Sequence, residues 1–387
     1  MYRIGFDSKR AFKNFSGLGN YSRSTITSLT TLFNYNEYFL YTPDCKKHPL
    51  HKFASASNIT IRKPKNWAEK KFPALWRSYT LKSQIQNDSL DLWHGLSGEL
   101  PLIPIPAAKV VTIHDLIFLR YPNFYKTFDR WMYKKKAAYA VKNADEIIAI
   151  SKQTADDIVE FFGTDRKKIE VIYQSCDPQF YTKATEKQIE IARKKYNLPK
   201  RFIVIMGTVE ERKNAANVVK ALPNLPKDIK LYCFGKWTPY AIKVNAIAER
   251  LGVKDRVVMV HDADFSLIPA IYSLAECLVY VSFFEGFGIP VLEGITYGIP
   301  VITSGGSSML EAGGDSALYV NPDSPSDIAD KIEMVLSSPT LKISMVERGY
   351  AHAKNFRNDR VAEKVFEVYK KAIAKHKIIA NLTENKL

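Results

Sequence analysis

SFFEGFGIPVLEGITYG, residues 282–298, joins the end of a strand, a glycine turn and the start of a helix in seventeen positions. The run LVYVS that leads into it is apolar and β-branched, as a buried strand requires. Gly286-Phe287-Gly288 supplies the turn, and Pro290 suits the first helical position because its missing N–H has no partner to lose there. This is the βα unit of a doubly wound sheet. A helix opening straight from such a turn offers unpaired N–H groups and the positive end of its dipole to an anion, with phosphate the obvious one. Glu285 in the loop and Glu293, expected in the first helical turn, frame that position. Carboxylates accept hydrogen bonds from hydroxyls, so a ligand carrying both phosphates and polyols fits, and a nucleotide sugar is such a ligand.

Short β-rich runs alternate with helix-length segments on both sides of this unit. Strands are expected near residues 2–6, 38–41, 59–62, 90–94, 110–114, 147–150 and 169–172, then near 202–206, 230–234, 257–260, 278–281, 300–303 and 317–320. The fold class is α/β: two Rossmann-like, doubly wound domains facing each other across a cleft, with the ligand at the carboxyl ends of the strands. A linker is expected between Ser175 and Arg201, dividing residues 1–177 from 178–357. The last helix is expected over Asn358 to Lys375, followed by a frayed tail.

The chain of 387 residues suits two domains and holds no apolar run long enough to cross a membrane. The N-terminus reads as a strand, not a signal peptide, so a cytoplasmic protein is expected. Cys45, Cys176, Cys233 and Cys277 form no CxxC pair, which argues against a zinc site or a disulfide framework. The net charge is +16, and residues 1–177 carry 27 Lys and Arg against 17 Asp and Glu. That excess suits an anionic membrane surface, a phosphate-bearing acceptor or nucleic acid. No nucleic-acid motif accompanies it.

Other stretches carry candidate chemistry. Ser16-Gly17-Leu18-Gly19-Asn20-Tyr21 reads as a βα turn, either a plain tight turn or a place where backbone nears a ligand, with Gly19 the stronger candidate. Lys63–Lys82 interleaves Trp67, Phe72, Trp76 and Tyr79 with lysines, which suits lipid headgroups or, equally, a helix burying its rings on the sheet. His94 and His114 end successive strands, where an imidazole can bond a sugar hydroxyl or take a proton. Ser151 and Thr154 are explained by helix capping. Arg212 and Lys213 follow a strand and can reach a diphosphate. Asp262-Ala-Asp264 is the one Asp-x-Asp stretch, and Ser304–Ser308 opens a further helix.

Glu285-Gly-Phe-Gly-Ile-Pro-Val-Leu-Glu293 resembles the E-x7-E signature of the retaining GT-B glycosyltransferases of family 4, and Val111-Thr-Ile-His114-Asp115 and Arg212-Lys213-Asn214 are similar to further stretches of that family. The resemblance implies a final helix, about 358–387, that crosses back to the first domain. It implies that Glu285 holds hydroxyls of the transferred sugar, assisted by backbone N–H groups of Phe287, Gly288 and Ile289. Glu293 holds the nucleotide ribose, Lys213 and Arg212 neutralise its phosphates, His114 lies near the donor sugar, and Gly19 faces donor or acceptor. The activity implied is a retaining, metal-independent hexosyl transfer, with no cofactor beyond the nucleotide sugar. The favoured donor is GDP-mannose and the acceptor a glycan or lipid-linked glycan of bacterial surface polysaccharide, on a protein that is cytoplasmic and peripheral to the inner face of the membrane. The alternatives are a UDP-sugar transferase of the same fold, a sugar-nucleotide 2-epimerase, and a nucleic-acid-binding or DNA-modifying protein.

Overall fold

The computed structural model describes residues 1–14, 17–45, 49–261 and 263–384. The chain divides into two compact units, Met1–Ser175 with Arg357–Leu387, and Cys176–Phe356.

The first unit holds a seven-stranded parallel sheet of β1 (Arg3–Asp7), β2 (Glu37–Tyr41), β3 (Ile59–Arg62), β4 (Leu92–Gly95), β5 (Ala108–Ile113), β6 (Glu146–Ala149) and β7 (Ile169–Val171), in the order β3-β2-β1-β4-β5-β6-β7. The second holds six parallel strands: β8 (Phe202–Met206), β9 (Lys230–Phe234), β10 (Val257–Val260), β11 (Leu278–Tyr280), β12 (Val301–Ser304) and β13 (Leu318–Val320), in the order β10-β9-β8-β11-β12-β13. In both sheets the order reverses beside the first strand, between β1 and β4 and between β8 and β11. That is the switch point at which doubly wound sheets bind ligands, outside the carboxyl ends of their strands. Central strands such as β8, buried along its whole length, are continuous apolar runs because helices cover both faces.

The helix Asn358–Glu384 belongs to the first unit. It buries Val365, Phe366, Tyr369, Ala372 and Ile373 against Ile4, Phe6, Leu92 and Val110. At about 1.5–3 kcal/mol for each large side chain taken from water, this face is enough to dock it. His94, wholly buried, completes the attachment: its Nδ1 lies 2.5 Å from the Tyr369 hydroxyl and its Nε2 2.8 Å from Thr112 Oγ1.

Two local expectations are corrected. The last helix does not end at Lys375 but runs to Glu384, because nothing in its sequence breaks it: no Gly or Pro occurs between Asn358 and Glu384. The stretch around Gly19 is not a turn, since a helix spans Gly17–Leu32. Ser16 of that stretch lies outside the described residues.

Candidate active site

In the second unit β8 ends at Met206, and Gly207 turns the chain with φ of +113°. A 3-10 turn, Glu211–Lys213, follows, closed by Asn214 in the left-handed region. Asparagine tolerates that conformation, and here it also anchors the turn: Asn214 Nδ2 donates to the carbonyls of Val281, at 3.2 Å, and Pro322, at 2.7 Å. Lys213 is thereby aimed back at Gly207, where a Cβ would come within 2.5 Å of its Nζ. The ammonium lies 5.4 Å from the centre of the Tyr280 ring and makes no ion pair with a described carboxylate. Its charge acts on both Glu285 and Glu293.

Glu285 is held from three sides. Its Oε1 accepts from the Tyr280 hydroxyl at 2.7 Å and from Ser282 Oγ at 3.0 Å, while its Oε2 pairs with Arg212 Nη1 at 2.6 Å. Burial alone would raise its pKa, but Arg212, then Lys213, outweigh burial and hold it below the ordinary carboxylate value, so it is ionised. Arg212 also bonds Glu210 at 2.7 Å and the Phe284 carbonyl at 2.7 Å. Its charge is thus committed to two carboxylates, which makes it a brace for Glu285 first. Lys213 is the cation left for an incoming anion.

The helix Ile289–Tyr297 places Glu293 in its second turn, not its first, because Ile289 rather than Pro290 opens it. Gly288 caps the helix with φ of +103°, a conformation that favours glycine. Phe287 is buried beside Phe356, with ring centres 5.7 Å apart, so its part in any ligand contact falls to its backbone. The amides of Gly288 and Ile289 donate to no backbone acceptor among the described residues. The Ser304–Ser308 loop reaches the same place, since Ser308 Oγ donates to the Glu285 carbonyl at 2.7 Å.

Glu293 is the opposite of Glu285. It is 7% exposed and accepts no hydrogen bond from a described residue. Burial, then the charge of Asp177, push its pKa up to about 8 against the pull of Lys213. The hydroxyl of Tyr272, close enough to feel Glu293 and Cys176, is buried without a partner. A neutral carboxyl and an orphaned phenol therefore lie within electrostatic reach of each other, both buried. Tyr280, Ser282, Tyr272 and Asp177 escaped sequence reasoning because each acts through a contact the fold alone creates. Only Asn214, third in the Arg-Lys-Asn run, carried a signal.

His114 and Gly19 belong to the first unit. His114 Nε2 donates to the Leu96 carbonyl at 2.8 Å, which leaves Nδ1 to accept from Gln174 Nε2 at 3.3 Å. Burial lowers its pKa to about 4 and that of His94 to about 3, so both imidazoles are neutral near pH 7. With their basicity lowered this far by burial, both are poor proton acceptors. Gly19 is buried in its helix, and a Cβ there would lie 1.7 Å from the Asn14 carbonyl oxygen, so close packing alone requires glycine. Asp264 caps a 3-10 turn and pairs with Lys195 at 3.2 Å, whereas Asp262 lies outside the described residues. Among the described residues no group of three His, Cys, Asp or Glu side chains is placed to hold a metal ion.

Residues 16–180 match the family model described as Glycosyltransferase Family 4, and residues 186–352 match that described as Glycosyl transferases group 1. The chain is 29% identical over 223 residues to the O-antigen chain mannosyltransferase RfbU of Salmonella typhimurium, covering 57% of this chain and 59% of that protein. It is 25% identical over 269 residues to O-antigen chain mannosyltransferase B of Escherichia coli, covering 67% and 70%. The matched stretch therefore spans 59% of the length of the first of these relatives. Among solved structures, Anabaena HepE, crystallised with UDP and glucose, has a TM-score of 0.74 at 15% identity, with 96% of this chain and 100% of that one covered. At that identity the likeness is one of fold.

Proposed function

Because the chain belongs to the group 1, family 4 glycosyltransferases of GT-B fold, we propose that it moves a hexose from a nucleotide sugar to a glycan or lipid-linked glycan acceptor in the cytoplasm. The observation that carries this reading is the pair formed by Glu293 and Lys213: a buried carboxyl that accepts no hydrogen bond from a described residue, within electrostatic reach of an ammonium that makes no ion pair with a described carboxylate. A ribose diol fits the first and a diphosphate the second. The likeness to two O-antigen mannosyltransferases favours mannose from GDP-mannose. A UDP-sugar remains the second reading, because HepE, of the same fold, was crystallised with UDP and glucose.

In the reaction proposed, the bond from sugar C1 to the phosphate oxygen breaks and a bond from C1 to the acceptor oxygen forms. The acceptor's proton passes to the departing phosphate on the same face, and configuration is retained. Positive charge builds on the ring and negative charge on the diphosphate, so the main task is to stabilise the leaving group. Lys213 and the amides at Gly288 and Ile289 do this, with no metal ion required. Glu285, held rigidly by Arg212, Tyr280 and Ser282, uses its remaining lone pairs to orient the sugar hydroxyls. Phe287 contributes backbone only. In this reading His114 acts as a neutral hydrogen-bond acceptor once Gln174 releases Nδ1, and Gly19 serves the close packing of its own helix.

The test is transfer of label from a panel of GDP- and UDP-sugars, in EDTA, to lipid-linked glycans extracted from a bacterium that makes O-antigen, with the anomeric form of the product read by NMR. Labelled product of retained configuration from one donor is expected. Transfer that requires a divalent cation, or inverted product, would overturn the mechanism.

A further inference from the structure

A cavity of about 410 Å³ opens at the carboxyl ends of β11, β12 and β13, the last three strands of the second sheet. Its walls are the ends of those strands and the segments that follow them, with Phe283, the stretch Ser304–Gly306, Tyr319 and Asn321 among the lining. A volume of this size suits a small organic ligand.

The lining narrows the chemistry of that ligand. No residue of it is charged, in a chain of net charge +16, so a phosphate or carboxylate finds no counterion there. Two of the side chains are aromatic, Phe283 and Tyr319, and Tyr319 is fixed, since its hydroxyl donates to the Gly314 carbonyl at 2.6 Å. Asn321 is held as well: its Oδ1 accepts from the Asp323 amide at 3.0 Å, while its Nδ2 donates to no described residue. Aromatic rings beside a held amide donor complement a pyranose, which presents a C–H face and a rim of hydroxyls.

A pair of glycines points the same way. Neither Gly305 nor Gly306 has positive φ, so the backbone does not call for glycine. Packing does not call for it either: a Cβ on Gly305 would meet nothing nearer than 3.7 Å, and one on Gly306 nothing within 4 Å. Glycine costs conformational entropy on folding, and the use left for it here is to let a ligand approach the backbone.

The Ser304–Ser308 loop is a wall shared with the donor site. Gly305 and Gly306 lie at its cavity end, and at its other end the Ser308 hydroxyl bonds the Glu285 carbonyl at 2.7 Å. We propose that this cavity is a second carbohydrate site, which seats one neutral pyranose of a glycan chain beside the turn that carries Glu285. The choice of a glycan as occupant rests on the transferase reading above.

The experiment is saturation-transfer NMR on the full chain with neutral di- and trisaccharides of mannose, glucose, galactose and N-acetylglucosamine, with no nucleotide sugar present. At least one of them should receive saturation from the wild type and from Gly306→Ser, which leaves the cavity open. Gly306→Gln, whose side chain fills it, should abolish the transfer. Phe283→Leu, which keeps apolar bulk and removes the ring, should weaken binding at least ~3-fold. Gly306→Gln should melt as the wild type does, because its new Cβ meets nothing within 4 Å, and in calorimetry it should bind nucleotide sugar as the wild type does. Absence of saturation in every sugar, or transfer unchanged in Gly306→Gln, would overturn the proposal. So would loss of nucleotide-sugar binding in Gly306→Gln, because the cavity would then be part of the donor site. A wild type that binds an oligosaccharide through the cavity but no nucleotide sugar would support the proposal and overturn the donor reading instead.

Discussion

Replacing Glu293 by Gln tests the physical state of the site without any ligand. The carboxyl's pKa is raised from 4.5 to about 8 by burial and by Asp177. Between those values the folded chain keeps a proton that the unfolded chain has released, so stability is present at low pH and is lost as pH rises through that window. Glutamine is neutral in both states and removes this dependence. At about 1.36 kcal/mol per pKa unit, the gain of Glu293→Gln over wild type should be near zero at pH 4. It should reach about 2 kcal/mol at pH 6 and level off at about 4–5 kcal/mol above pH 8. The assay is urea denaturation of the second unit, followed by hydrogen-exchange mass spectrometry of Leu278–Tyr280, at several pH values. The same variant should lose nucleotide binding while gaining stability, as expected where function holds a strained group in place. A gain that does not change with pH would refute the raised pKa and, with it, the picture of a polyol acceptor kept neutral until a ligand arrives.

Other expectations follow from single contacts. Tyr280→Phe removes one donor to Glu285 and should lower kcat/KM by about 5- to 10-fold, near 1 kcal/mol, with KM for the donor little changed in steady-state assays. Gly207→Ala forces a side chain onto φ of +113° and into the Lys213 ammonium, so nucleotide affinity measured by calorimetry should drop more than stability does in a thermal melt. Acidification should destabilise the first unit between pH 6.5 and about 4. His94 and His114 stay neutral there in the folded state, while the unfolded chain takes up protons. His114→Gln should flatten that part of the acid-unfolding curve.

The alternation of β-rich and helical runs was enough to identify both sheets, because a fully covered parallel strand must be a short apolar run and little else in the chain looks like one. The turn at Gly286–Gly288 was equally legible, since glycine and proline state their backbone requirements in their own chemistry. The extended end of the last helix was not, because Ile378, Ile379 and Leu382 stay exposed and do not carry on the buried face that docks the helix. Within the site, the ionised state of Glu285 and the neutral state of Glu293 could not be read from two identical residue types. What separates them is whether Arg212, Tyr280 and Ser282, or merely burial and Asp177, lie alongside, and those are facts of the fold. His94 and His114 ended strands as read, but their ring nitrogens proved to be occupied by Tyr369, Thr112, Leu96 and Gln174, contacts made across the sequence.

The central claim is that Lys213 and the turn at Gly288 receive a nucleotide sugar without a metal. Calorimetric titration of GDP-mannose and UDP-glucose into the wild type and Lys213→Ala, with EDTA present, examines it most directly. One nucleotide class should bind the wild type, and binding should weaken at least ~100-fold in the variant, as loss of a charge-assisted phosphate contact in a water-poor site implies. Equal affinity in wild type and variant, or binding that vanishes with EDTA, would contradict it.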